Sequence, residues 1–94
     1  MVKIRVYGVF RKISGIDEMS VSIGKEPMSL KTLLDELRHS FPEFFRALID
    51  SELSDPRPNA LILINGKEIG VMNGLETLIN DKDEVVVIPV SHGG

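Results

Sequence analysis

The chain contains no cysteine among its 94 residues. Disulfide bonds, thiolate metal sites and a cysteine nucleophile are therefore excluded within this sequence. Any sulfur chemistry in which the chain takes part needs a sulfur atom that another molecule supplies.

Histidine is also scarce, with His39 and His92 as the two examples. His39 falls near the end of a predicted helix, where an exposed imidazole is ordinary, and we interpret His92 as part of a solvent-exposed spacer. The sequence has no Ser/His/Asp arrangement, phosphate-binding loop or metal-ligand spacing. It therefore predicts a chain that is not an enzyme and that binds no metal or cofactor of its own.

Strong charge and long apolar runs are missing as well. A net charge of −3 leaves no basic excess to neutralise phosphates, which argues against nucleic acid as a partner. No apolar run is long enough to cross a bilayer, and Met1 leads into a strand pattern without a signal peptide. We expect one cytoplasmic domain with neither nucleic acid nor a membrane as its partner.

The first half of the sequence alternates and then becomes helical. Alternation from Val2 predicts a strand that continues to about Phe10, and the turn residues 14–17 with a second alternating run predict a hairpin. Ser29 has the character of a helix N-cap. The helix after it buries one stripe, Leu30, Leu33, Leu34 and Leu37. Beyond Pro42 we expect a shorter helix that buries Phe44, Phe45 and Leu48.

The second half is richer in strands. Asn65-Gly66 is a tight-turn signal between two predicted strands. The predicted elements here are a strand at 60–64, a short edge strand at 69–72, one helical turn at 75–79 and a last strand at 84–90. The whole order fits an α+β domain, a mixed sheet of four to five strands with one main helix packed across one face.

Two of these strands are apolar on both faces, at 61–64 and 85–88. One helix layer covers only one face of a sheet, so either a partner or dimer mate covers the other face, or the short helix and the loop at 50–59 do. If Val85 and Val87 point inward, then Val86 and Ile88 point outward, together with Tyr7 from the first strand. We therefore name Tyr7, Val86 and Ile88 as a candidate partner interface.

The sequence given closes on Gly93-Gly94. Glycine has no Cβ, so such a segment can thread a narrow channel and leave its terminal carbonyl carbon unhindered. That suits activation of the Gly94 carboxylate followed by attack of a sulfur or nitrogen nucleophile, with Gly93 passing through the channel. We expect a folded domain at 1–90 and a flexible tail at 91–94.

Three segments carry a resemblance to a known family. They are Tyr7 to Phe10 with Arg11 and Gly15, then Ile64-Asn65-Gly66, and finally the run from Asp81 through Ile88 and Pro89 to Gly94. In these the sequence resembles the ubiquitin-like sulfur carriers of the MoaD/ThiS family, and among them the small subunit of molybdopterin synthase.

The resemblance implies a β-grasp fold and a carrier function. An E1-like adenylating enzyme would use ATP and magnesium to adenylate the carboxylate of Gly94. A persulfide sulfur donor would then displace AMP, which leaves a C-terminal thiocarboxylate. The large subunit of molybdopterin synthase would receive the tail, and the sulfur would pass to a pterin precursor of the molybdenum or tungsten cofactor.

Three other functions remain open at this point. The same tail could join the chain to lysine side chains as a ubiquitin-like protein modifier. The chain could instead be a plain β-grasp interaction domain, or a carrier of the thiamine pathway.

Overall fold

The computed structural model describes residues 1–90, so the predicted tail at 91–94 lies outside the described residues. The strands are β1 (Val2–Val6), β2 (Glu18–Val21), β3 (Met28–Ser29), β4 (Ala60–Ile64), β5 (Lys67–Glu68), β6 (Leu78–Ile79) and β7 (Glu84–Pro89). The helices are α1 (Gly8–Ser14), α2 (Leu30–Ser40) and α3 (Pro42–Leu48), and short 3-10 turns occupy Ile69–Val71 and Gly74–Glu76.

Five of the strands form one mixed sheet in the order β2-β1-β7-β4-β5. The central strands β1 and β7 are parallel, and the other neighbours pair antiparallel. Strands β3 and β6 form a separate two-stranded ladder. The predicted α+β arrangement, a mixed sheet with a main helix on one face, is confirmed.

Helix α2 begins where the sequence predicts. The Ser29 hydroxyl accepts a hydrogen bond from the Thr32 N–H at 3.1 Å, which satisfies a backbone donor that the first helical turn leaves free. The predicted leucine stripe is buried, and it packs with the inward residues of the sheet and with Phe44 and Leu48 of α3 in one core. Phe45, predicted to be buried, is half-buried, and the Arg38 guanidinium lies 4.8 Å from its ring centre.

The predicted strand to Phe10 is wrong beyond Val6. Gly8 has a φ of +56°, which turns the chain out of the strand and into α1. Gly15 closes α1 with a φ of +78°, and its N–H donates to the Arg11 carbonyl. Strands β1 and β2 pair antiparallel as predicted, but α1 connects them where a tight hairpin was expected.

Two further short elements differ from the prediction. The edge strand is β5, directly after Asn65-Gly66, whose φ values of +50° and +85° confirm the predicted tight turn. The run at 69–72 starts with a 3-10 turn because the Glu68 side chain accepts from the Gly70 N–H. Leu78 and Ile79 belong to strand β6, which pairs with β3, so the predicted helical turn is confined to Gly74–Glu76.

Two carboxylates of the loop at 50–59 accept hydrogen bonds from other residues of the same loop. Asp50 Oδ1 accepts from the N–H groups of Glu52 and Leu53 at 3.0 and 2.9 Å. Asp55 accepts from the Arg57 guanidinium, with Arg57 Nη2 2.6 Å from Asp55 Oδ2. This hydrogen bond to Arg57 holds the pKa of Asp55 below its ordinary value.

Phe10→Ala tests the corrected first segment. The Phe10 ring is buried and meets the Phe44 ring edge to face at a centroid distance of 5.6 Å. Its removal should lower the free energy of unfolding by about 3–5 kcal/mol. The neighbouring Val9→Ala should cost within about 0.5 kcal/mol, because Val9 is half exposed. Urea unfolding gives both values, and equal small losses would contradict the placement of Phe10.

Asp55→Asn tests the ion pair of the loop. Because the folded protein lowers the pKa of Asp55, its carboxylate stabilises the fold above the ordinary aspartate pKa of about 3.9, and this stabilisation is lost as pH falls through the folded value. The variant should be less stable than the natural chain at pH 7. The difference should narrow as the pH falls below about 3.9 and should vanish below the lowered pKa of Asp55 in the folded protein. Urea midpoints across this range measure it, and a difference independent of pH would be inconsistent with the assignment.

Candidate functional site

The two apolar strands β4 and β7 present different residues to the two faces of the sheet. The inward residues are buried under the helices: Ile62, Ile64, Val85 and Val87. The outward residues keep part of their surface in solvent: Leu61, Leu63, Val86 and Ile88. Helix α3 packs on α1 and α2, so it does not cover this outward side. The described part of the chain therefore leaves an apolar surface open.

The register of the strands brings the outward residues together. Leu61 lies opposite Ile88, and Leu63 lies opposite Val86. Neighbouring strands are about 4.8 Å apart, so these side chains are in contact range across the sheet. We call the surface formed by Tyr7, Leu61, Leu63, Val86 and Ile88 the outer face.

Tyr7 closes one end of the outer face. It follows β1, its N–H donates to the Val87 carbonyl at 3.2 Å, and its side chain is 43% exposed. The parallel register of β1 and β7 ends with Val6 opposite Val87, and Tyr7 and Ile88 are the residues that directly follow this pair. The structure thus brings together the three residues predicted from the sequence, Tyr7, Val86 and Ile88. Their role as a partner interface stays a prediction.

Leu61 and Leu63 were missed as site residues. Both lie in the run at 61–64 that the sequence shows to be apolar on both faces, but only the pairing of β4 with β7 shows that they continue the surface of Val86 and Ile88. No local signal gives that register, because the two strands lie far apart in the chain.

A charged border flanks the apolar part of the outer face. Arg5 lies opposite Val86, and its Nε is 3.6 Å from a carboxylate oxygen of Glu18 and 3.6 Å from one of Glu84. A side-chain hydrogen bond with Tyr7 is the main cause that raises the pKa of Arg5, and the negative charges of Glu84 and Glu18 raise it further. Exposed ion pairs contribute little to stability, so we expect the border to add little to the stability of the fold.

The chain leaves the sheet beside Tyr7, at the end of β7. The Val90 N–H donates to the Asn59 carbonyl at 3.0 Å, one residue beyond the end of β7. Because β1 and β7 are parallel, their carboxyl ends meet at one edge, so Val90 emerges near Tyr7. Gly93 and Gly94 lie outside the described residues, and their roles stay predictions.

Side chains suited to catalysis are few within residues 1–90. His39 is exposed at the end of α2, and His92 lies outside the described residues. Thr77 is the one buried polar residue of this part, and its hydroxyl accepts from the Asn73 N–H. Asp83 accepts from Asn65 and so holds the turn before β7.

The part of the chain that the structure describes has neither a membrane-spanning helix nor a metal-binding cluster of side chains. None of the helices there combines the length and the apolar character needed to cross a membrane. Over the same range, histidine and acidic side chains form no group that could hold a metal ion.

The model of the ThiS family matches residues 4–94. The chain belongs to the ThiS family. The resemblance to MoaD/ThiS-like, ubiquitin-like sulfur carriers is thereby confirmed. Small carrier proteins of this kind are in general not catalysts. No curated protein is similar enough to this member of the ThiS family to count as a match.

Solved structures with the same fold include a small archaeal modifier protein and a putative molybdopterin converting factor subunit. The small archaeal modifier protein 1 of Methanosarcina acetivorans is 28% identical with a TM-score of 0.80, over 99% of this chain and 95% of that one. A putative molybdopterin converting factor subunit 1 from Pyrococcus furiosus is 22% identical with a TM-score of 0.72, over 96% of this chain and 97% of that one. A BexX/CysO complex from Amycolatopsis orientalis contains a chain that is 16% identical with a TM-score of 0.81, over 100% of this chain and 100% of that one. The β-grasp fold is confirmed.

Ile88→Asp and Val87→Asp form a matched pair that tests the two faces of β7. Ile88 is outward and half-buried, so a carboxylate there stays hydrated, and the thermal midpoint should change little. Val87 is fully buried, so the same carboxylate should unfold the domain or lower its stability by several kcal/mol. Thermal unfolding followed by circular dichroism separates the two outcomes. Unfolding of both variants would show that Ile88 belongs to the core.

Proposed function

We propose that the chain carries sulfur as a thiocarboxylate on Gly94 and donates it to a pterin precursor as the small subunit of molybdopterin synthase. The observation that carries this proposal is the position of Val90. The chain leaves the sheet beside the apolar outer face, so a partner docked on that face also receives the segment that ends at Gly94.

Activation of the carboxylate requires energy that the chain does not supply. The Gly94 carboxylate attacks the α-phosphorus of ATP on an E1-like adenylating enzyme with magnesium, and pyrophosphate leaves. A persulfide on a sulfur donor protein then displaces AMP and forms an acyl disulfide. A thiol cleaves that disulfide, which leaves the sulfur on Gly94 as a thiocarboxylate and the donor as a disulfide. The absence of cysteine from the chain agrees with an external sulfur source.

The outer face is the docking surface of this proposal. Its residues are apolar but only partly covered in the isolated domain, a state typical of a surface that a partner buries. Tyr7, Val86 and Ile88 would contact the large subunit of molybdopterin synthase. The Arg5 border would set the orientation of the complex.

A protein modifier is the second candidate. The structure of the Methanosarcina acetivorans modifier supports it, since that protein is 28% identical over nearly the whole chain. Activation of Gly94 is the same in both functions, and the difference lies in the acceptor. In a modifier a lysine amine displaces AMP, so tagged chain in its native host would form conjugates that appear as a ladder of larger species.

Removal of Gly94, or addition of one alanine after it, tests the proposal. Either change moves the reacting carbon relative to the partner's site by one residue, about 3.3 Å or more. A displacement of about 1 Å can cost on the order of 100-fold in rate. Thiocarboxylate formation should therefore be abolished while the thermal midpoint stays unchanged. Ser91→Ala, which preserves the tail length, should retain activity.

The measurement combines reconstituted sulfur transfer with mass spectrometry of the peptide that follows Lys82. A thiocarboxylate adds about 16 Da, nearly the same as one methionine oxidation; this peptide contains no methionine, so the shift is unambiguous. Full activity of the untrimmed extended chain would contradict the carrier function. Formation of a thiocarboxylate without transfer to the pterin would retain the carrier and overturn the molybdopterin assignment.

A further inference from the structure

Gly8 lies against the last residue of β7. Its φ of +56° is in the left-handed region, and a Cβ built on it would lie 2.6 Å from Pro89 Cγ and 3.4 Å from Pro89 Cδ. A separation of 2.6 Å between carbon atoms is well inside their contact distance of about 3.5 Å. The end of β7 can therefore occupy its position only because residue 8 has no side chain.

Pro89 cannot easily give way to such a Cβ. Its ring fixes φ and has no freely rotating side-chain torsion, so the ring moves only with its backbone. That backbone is held on the other side by Ala60, its partner in the β4–β7 register. Bulk at position 8 must therefore displace the end of the strand.

The residue after Pro89 is held from a second direction. The Val90 N–H donates to the Asn59 carbonyl at 3.0 Å. The Asn59 side chain in turn donates through Nδ2 to the Leu48 carbonyl at 3.1 Å, at the end of α3. Gly8 on one side and Asn59 on the other thus define the path of the chain as it leaves the sheet.

We infer that Gly8, Asn59 and Pro89 form an exit clamp that fixes the position of the chain at Val90, and so the point from which the Gly94 carboxylate must reach a partner docked on the outer face. This inference rests on the proposed function. The three are positioning residues, since they act through Val90. Gly94 is the fourth residue after Val90, so a shift of Val90 moves the point from which the reacting group must reach its partner.

Gly8→Ala tests the clamp, with Gly15→Ala as its matched control. Gly15 has a φ of +78° at the other end of α1, and a Cβ there meets nothing within 4 Å. Both glycines have a positive φ at an end of the same helix, so both variants place a side chain in the left-handed region, but only Gly8→Ala presses on Pro89. The test compares the adenylation kinetics and the Val90 hydrogen exchange of both variants, each as the full chain, with adenylation assayed in the presence of the activating enzyme and ATP.

Gly8→Ala should lower kcat of adenylation by at least about tenfold, because a displacement of about 1 Å at a reacting group can cost on the order of 100-fold in rate. Its KM for the enzyme should stay unchanged, since the outer face is intact. Hydrogen exchange at the Val90 amide should accelerate by about tenfold or more as its bond to Asn59 loosens. Gly15→Ala should leave kcat and Val90 exchange at the natural values.

A second substitution separates positioning from strain. Pro89→Ala removes the Cγ and Cδ atoms that an alanine at position 8 would meet. The double variant should therefore recover the kcat and Val90 exchange of Pro89→Ala alone, a coupling that a purely structural effect on α1 does not produce. If Gly8→Ala does not fold, Gly8→Asn repeats the comparison, because asparagine tolerates positive φ yet has a Cβ.

Two results would overturn the clamp. One is a natural kcat and natural Val90 exchange in Gly8→Ala, and the other is an equal loss in Gly8→Ala and Gly15→Ala. Failure of the proposed carrier function looks different, because the natural chain itself then forms no thiocarboxylate. In that case Val90 exchange in the variants still decides whether the clamp exists.

Discussion

The parallel pairing of the first and last strands is the constraint on which the rest of the structure depends. Strands β1 and β7 run side by side in the centre of the sheet, from Lys3 opposite Glu84 to Val6 opposite Val87. A parallel pair cannot be closed by a tight turn. The chain between them must therefore cross the sheet, and in doing so it supplies α2 and α3, which bury the inner face.

The same pairing determines where the functional parts lie. Parallel strands end at one edge, so the chain enters α1 through Gly8 at the point where β7 ends at Pro89. The outer face and the exit of the chain are consequently neighbours on one side of the domain. In the carrier that we propose, the domain contributes a docking surface and a direction, and the partners contribute ATP, thiol and pterin chemistry.

Elements with strong local signals could be predicted from the sequence. The Ser29 cap, the leucine stripe of α2 and the turn at Asn65-Gly66 are all observed, because each depends on residues within one or two turns of chain. Helix α1 was missed because it is only seven residues long and buries one side chain, Phe10. Strand β6 was missed because two residues give no period, and its partner β3 lies far away in sequence.

The sequence by itself determined the family, through the resemblance of three segments, and the absence of a thiol, through its composition. Alternation and helical spacing within short stretches predicted the α+β class and the candidate site residues Tyr7, Val86 and Ile88. Tertiary structure alone decided that Leu61 extends this surface beside Ile88 and that Gly8 touches Pro89. These contacts join residues far apart in the chain. Their register depends on how the whole sheet packs against its helices, which no local pattern specifies.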